Sequence, residues 1–392
     1  MQKFIFDPPM AAIVVCSLLV LTILKKALHK DHFYTLVISI AVSLLFVETV
    51  CRVFNIGNPQ VAIWKEEQIK GEKYGYKPNS KLVYIYPDNP RGYFNAGNKV
   101  VGSINSRGFR GSDKEIEKSD GKIRIAFLGD SFTLGIGVRD EDTLPASFEH
   151  ELKKKYSNIE VLNFGLSNSS TERQIKLLEE YVVAFDPDIV VVVVFLNDAN
   201  RRGTIRFLSR PKVFGSIRKH SFFVNAFVGG IEKSIWHRKM IQHYRDGYVE
   251  GSAGWKKVKS AMRMGKALSK KYNFQFIVTV YPVLFQLDEN YPFKNIHQTI
   301  ESYCLSLDIP FVDLLHVFIG RKDSELWVHR TDQHPNEVAH RIAGAALTEY
   351  FDSQGSIKKR FSNPESLVQT VQRGAASDNH STGLHNGGEL GR

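Results

Sequence analysis

The sequence predicts an α/β fold: a three-layer, doubly wound sandwich around a mainly parallel sheet. Apolar runs of strand length recur from Lys122 onward, and stretches of helical periodicity separate them. The runs are Ile123–Leu128, Ile159–Phe164, Ile189–Leu196, Phe274–Val280 and Pro310–Leu314. They are rich in Val, Ile, Leu and Phe, which suits strands buried on both faces, hence a parallel sheet covered by helices. Helical periodicity marks Leu144–Tyr156, Thr171–Phe185, Trp255–Tyr272 and Ile296–Leu307, and Asn336–Phe351 closes the domain. Right-handed crossovers are expected between the strands.

Composition narrows the class. With 392 residues, 43% of them hydrophobic, the chain can bury a large core. Cys16 and Cys51 sit in apolar N-terminal segments and leave Cys304 alone in the remainder, so no disulfide framework is expected. Neither Cys-x-x-Cys nor His-Glu-x-x-His spacing occurs and the histidines are scattered; no metal and no cofactor is expected. The formal charge of +11 is spread without a dense basic run, so no nucleic-acid partner is expected. Solvation and attraction to anionic lipid or acidic glycan account for it.

The chain divides into four stretches. Residues 1–54 read as a membrane anchor of one or two transmembrane helices, from the uncharged run Ala11–Leu24 and the apolar run Phe33–Val50. Lys25, Lys26 and Lys30 lie between the runs, and positive charge tends to stay cytoplasmic. Either both runs span as a hairpin or only the second does; both topologies place everything after about Phe54 outside the cytoplasm. Residues 55–121, rich in Gly, Asn, Pro and Tyr with alternating runs such as Lys81–Tyr86, form a linker and a small β-rich lead-in. Residues 122–352 form the α/β domain. Within it, 201–254 breaks the alternation and reads as an insertion or lid bearing Arg210, Arg218, Phe222, Phe223 and Trp236. Residues 353–392 lose periodicity and are expected to be disordered.

Ligands of open α/β sheets bind at the carboxyl ends of strands, so the residues just past each run come first. There stand Gly129-Asp130-Ser131, then Gly165, then Asn197-Asp198; Asp332 and His334 follow just before the last helix. A serine hydroxyl is a poor nucleophile, so a histidine must take its proton, and a carboxylate must hold that histidine in the right tautomer. Each residue has a plainer reading as well. Ser131 can cap a turn, Asn197 can bridge loops, and Asp332 can cap the helix that starts at Pro335. His340 reads as an outward helix residue, His329 as a neighbour of the site and Cys304 as core.

In their order and placement these blocks resemble the SGNH (GDSL-type) hydrolase superfamily, across roughly Lys122 to Phe351. Gly129-Asp130-Ser131 looks like the first block, Gly165 the second, Asn197 with Asp198 the third, and Asp332 with His334 the last. Ile104–Arg110 and Gly129–Val138 also look like membrane-tethered bacterial members. The resemblance implies a flavodoxin-like sheet with Ser131 as nucleophile, His334 as base and Asp332 as the third member. The implied oxyanion donors are the N–H groups of Ser131 and Gly165 and the side chain of Asn197, with Asp130 and Asp198 in support. Two departures stand out. The family acid usually precedes the histidine by three residues, where this chain has Thr331, and Phe195 replaces a glycine before Asn197.

Three functions fit. The first is an esterase removing acyl groups, acetyl above all, from an extracytoplasmic glycan or lipid-linked substrate. The second is an acyltransferase served by a separate multi-span membrane acyl donor protein. The third is a non-catalytic glycan-binding module, which loss of Ser131 or His334 would mark; both are present. The Gly-x-Ser-x-Gly of α/β-hydrolase folds is missing around Ser131.

Overall fold

The computed structural model describes residues 22, 30–54, 56–57, 63–65, 74–199, 220–355 and 357. The run Ala11–Leu24, apart from Thr22, lies outside the described residues. So do 201–219 of the expected insertion and 358–392 of the expected tail. The first long element is helix α1, Lys30–Val53. It is almost wholly exposed, and its length and apolar composition are sufficient to cross a membrane.

A small antiparallel sheet follows, in the order β1 (Ile63–Lys65), β2 (Lys81–Ile85) and β3 (Lys99–Ser103). In β2 every second side chain points inward, as strand periodicity requires, so Leu82 and Tyr84 are fully buried. With Tyr76 and Tyr86 they join the same apolar core as the large sheet. Three short strands bury too little to stand alone, and packing on the larger domain supplies the rest.

That larger domain runs β4 (Ile123–Gly129), α2 (Ser131–Leu134), α3 (Leu144–Lys153), β5 (Ile159–Gly165), α4 (Thr171–Glu180) and β6 (Ile189–Val194). It continues with α5 (Phe222–Gly247), α6 (Ala253–Tyr272), β7 (Gln275–Val280), α7 (Lys294–Ser306) and β8 (Phe311–Asp313). The strands pair in parallel in the order β5-β4-β6-β7-β8. All residues of β4 and β6 are buried, which explains their apolar composition; the one charged side chain, Arg124 in β4, pairs with Glu160 of β5 at 2.6 Å. Helix caps match the local chemistry. Thr143 caps α3 with Pro145 in its first turn, while Ser252 starts α6 and Asn273, at φ 56°, ends it.

The last elements are a hairpin of β9 (Trp327–His329) and β10 (Asp332–Pro335), then helix α8 (Glu337–Ser353). Helix α8 packs on α3, and α4 packs on α6, giving helices on both faces of the sheet. Strand direction of travel reverses between β4, which is followed outward to β5, and β6 on its other side. That reversal is the switch point at which such sheets open a crevice.

The expected insertion holds α5, whose N-terminus meets α1. Glu48 of α1 accepts hydrogen bonds from Ser221 Oγ (2.8 Å) and from the N–H groups of Phe222 (3.1 Å) and Phe223 (2.9 Å). Asn225 Nδ2 donates to the Gly57 carbonyl at 3.0 Å, and the Arg52 guanidinium lies 4.9 Å above the Phe222 ring. At the other end of α5, Tyr244 packs edge-on against Phe195 and Phe293.

Candidate active site

Ser131 opens α2 directly past β4. Asp130 caps this one-turn helix by accepting from the Phe132 N–H at 2.9 Å, and Gly135, at φ 80°, ends it. The Ser131 N–H belongs to the first turn, where a helix leaves its donors without internal partners. Gly129 has to be glycine, because a Cβ there would lie 1.9 Å from Thr133 Oγ1.

The hairpin brings the other groups. His334 Nε2 lies 3.0 Å from Ser131 Oγ, and His334 Nδ1 lies 2.6 Å from Asp332 Oδ1. Strand β10 carries a one-residue irregularity between Asp332 and Pro335. The plainer reading of Asp332 is excluded: Asn336 caps α8, accepting from Val338 and Ala339 N–H at 3.0 Å each. Asp332 Oδ2 accepts from the Tyr86 hydroxyl at 2.9 Å. Burial alone would push the Asp332 carboxyl up, but the His334 ring, the His334 N–H and the Tyr86 hydroxyl hold it below its ordinary value.

Asn197 stands on a 3-10 turn, Leu196–Ala199, past β6, and its Nδ2 donates to Asp130 Oδ2 at 3.3 Å. A primary amide has two N–H donors, so one remains for a ligand. Burial raises the Asp130 carboxyl, and burial with the neighbouring Asp130 charge raises that of Asp198 further. Asp198 accepts from Thr171 Oγ1 at 2.7 Å, which pins α4 beneath this turn.

Gly165 does not have the geometry expected of an oxyanion donor. Its N–H donates to Asn163 Oδ1 at 2.9 Å, and a Cβ would lie 2.2 Å from the Leu134 nitrogen. Asn163 Nδ2 also donates to the Thr133 carbonyl at 2.9 Å. Gly165 thus permits close packing of β5 under the Ser131 turn, with Asn163 as the staple. His340 differs from expectation too: it is fully buried on the inner face of α8, and burial, with Arg110 and His334 nearby, lowers its pKa to about 3. Cys304 is fully buried, as expected of a core residue.

Phe195, in place of a glycine, packs its ring 4.1 Å from that of Phe132, which in turn meets the His334 ring edge-on at 5.6 Å. Sequence reading missed Tyr86, Asn163 and the partner of His329. That histidine is buried and bonded through Nε2 to Asp88 Oδ1 and through Nδ1 to Thr331 Oγ1. Tyr86 stands at the end of a recognised alternating run, but nothing chemical singles it out.

A hydroxyl, an imidazole and a carboxylate in a hydrogen-bonded line at the switch point of a doubly wound sheet define the class: a serine-hydrolase arrangement on an α/β scaffold. The model of the GDSL-like lipase/acylhydrolase family matches residues 127–342, and the chain belongs to that family. The family is one of lipases and acylhydrolases, enzymes that hydrolyse ester bonds. No curated protein matches the sequence. Among solved structures, it is similar to a catalytic mutant of Axe2, an acetylxylan esterase from Geobacillus stearothermophilus. That similarity has 17% identity and a TM-score of 0.40, over 59% of this chain and 95% of that one. A two-domain esterase (CEX) active on acetylated mannans gives 15% and 0.38 over 59% of this chain, which spans about half (49%) of that one. The lipase/acylhydrolase from Enterococcus faecalis gives 16% and 0.37, over 59% and 96%.

Proposed function

We propose that Ser131, His334 and Asp332 form the catalytic triad of a membrane-anchored serine esterase that removes acetyl groups from an extracytoplasmic glycan or lipid-linked substrate. The observation that carries this reading is the continuous line from Ser131 Oγ through His334 to Asp332, at 3.0 and 2.6 Å. His334 Nε2 takes the hydroxyl proton as Ser131 attacks the ester carbonyl, then returns it to the leaving alcohol. Asp332 holds Nδ1 protonated and stabilises the imidazolium. The Ser131 N–H and the free N–H of Asn197 stabilise the oxyanion; Gly165 is not a member of this pocket. Water then releases the acyl group by the same proton path in reverse.

Two features support the finer assignment. The tilted Phe132–Phe195 ring pair fills the space beside Ser131 with buried aromatic carbon, which favours a short acyl group over a long chain. Helix α1 supplies an anchor, and the lysines that precede it favour a cytoplasmic start and a catalytic domain on the far side.

The test uses the full chain in detergent with p-nitrophenyl acetate and p-nitrophenyl octanoate. Acetate release that is lost in Ser131→Ala, and at least about tenfold faster than octanoate release, is the expected result, tenfold being about 1.4 kcal/mol of pocket discrimination. Hydrolysis that survives Ser131→Ala would refute the triad. Acetate recovered on an added glycan in place of water would reassign the reaction to transfer.

A further inference from the structure

We infer that Tyr86, which lies outside the family-matched segment 127–342, is a positioning residue for Asp332 and tunes the base strength of His334. The inference rests on the triad reading above. His334 uses one carboxylate oxygen of Asp332, and the Tyr86 hydroxyl occupies the other at 2.9 Å. A carboxylate held at both oxygens cannot rotate about its terminal torsion, which is otherwise broad. In a water-poor site an unpartnered oxygen would also carry a large desolvation penalty.

The surroundings fix the phenol in that place. Its ring stacks on Phe94 at 4.6 Å and 11°, and lies 5.5 Å from the His329 ring. Gly137, at φ 77°, passes so close that a Cβ would lie 2.3 Å from Tyr86 Oη. Burial, and the Asp332 charge beyond it, push the phenol well above its ordinary pKa, so it remains a donor at any working pH.

The neighbouring lead-in residues grip the same hairpin. Asp88 holds the His329 ring and also pairs with Arg330 at 3.0 Å. Arg91 reaches Glu337 at 2.5 Å and the Val328 carbonyl at 3.4 Å. Three side chains within six residues of the lead-in therefore hold the hairpin that carries acid and base.

Tyr86→Phe keeps the stacked ring and deletes only the hydroxyl. Removing that donor leaves the Asp332 carboxylate more basic, which strengthens its hold on the His334 proton and raises the pKa of the imidazole. The other charged and titratable groups around the pair are Asp130 behind Ser131, His340 on α8 with Arg110 near it, and Tyr84, Arg91 and His329 beside Tyr86. The substitution changes none of them.

The readout is the rate at which a fluorophosphonate labels Ser131 in the full chain, measured across pH. For Tyr86→Phe the expected result is labelling about tenfold slower near neutral pH, the size of one charge-assisted hydrogen bond, with the acid limb moved to higher pH. Tyr93→Phe serves as control. It removes another lead-in hydroxyl, bonded to Asp142 at 2.6 Å, and should leave the limb in place. A limb that does not move in Tyr86→Phe, or that moves equally in Tyr93→Phe, overturns the proposal while the triad stands. Labelling that persists in Ser131→Ala overturns the triad and this proposal together.

Discussion

Asp332 Oδ1 and His334 Nδ1 lie 2.6 Å apart although a single residue, Gln333, separates them in the chain. Residues two apart along a strand share a face, which is how an Asp-x-His spacing closes within β10.

An amide at position 332 would present a donor or a weaker acceptor to Nδ1 and favour the wrong tautomer. Asp332→Asn is expected to lower kcat on p-nitrophenyl acetate about 10³- to 10⁴-fold, with little change in KM. A variant that keeps more than about a tenth of the activity would remove Asp332 from the orienting role.

Gly165→Ala tests packing apart from chemistry. The added methyl would lie 2.2 Å from the Leu134 nitrogen and 2.7 Å from the Thr133 carbonyl carbon, both backbone atoms of the Ser131 turn. Overpacking of this kind costs about 1–3 kcal/mol, read as a lower urea midpoint with an unchanged slope. A midpoint equal to that of the unsubstituted protein would show that the turn yields freely.

His340 makes stability depend on pH. The ring takes up a proton at about 3 in the folded chain and near 6.5 when unfolded. Below pH 6.5 the unfolded state therefore binds more protons, and stability falls as the pH falls. His340→Leu should flatten that decline, by up to about 3 kcal/mol at roughly pH 4, in thermal or urea unfolding. Parallel curves for the two proteins would show that the buried imidazole contributes nothing to acid sensitivity.

The α/β scaffold was legible in the sequence because strands covered on both faces must be largely apolar, as β6 is throughout and β4 is apart from Arg124, which pairs with Glu160 of β5. Ser131, Asn197 and His334 were legible because their residue types stand where such strands and hairpins end. Asp332 was visible as a carboxylate two residues before His334, but which of its oxygens meets the imidazole and which meets Tyr86 is set by the fold. Gly165 shows the opposite limit. A glycine is evident, yet what its N–H meets is decided by the Asn163 side chain. Tyr86 reaches Asp332 across 246 positions, and no local pattern announces so distant a contact. His340 did leave a signal: with Ala343, Leu347 and Phe351 it lies on one helical stripe, and all four are buried.

The junction between α1 and α5 has a mechanical consequence. Glu48 closes the N-terminus of α5, and 26 residues later the same helix ends beside the Phe195 wall. At 1.5 Å per residue that helix is a rod about 39 Å long. A rod held at its base by Glu48 and packed at its far end against Phe195 acts as a strut between the apolar helix and the cleft wall.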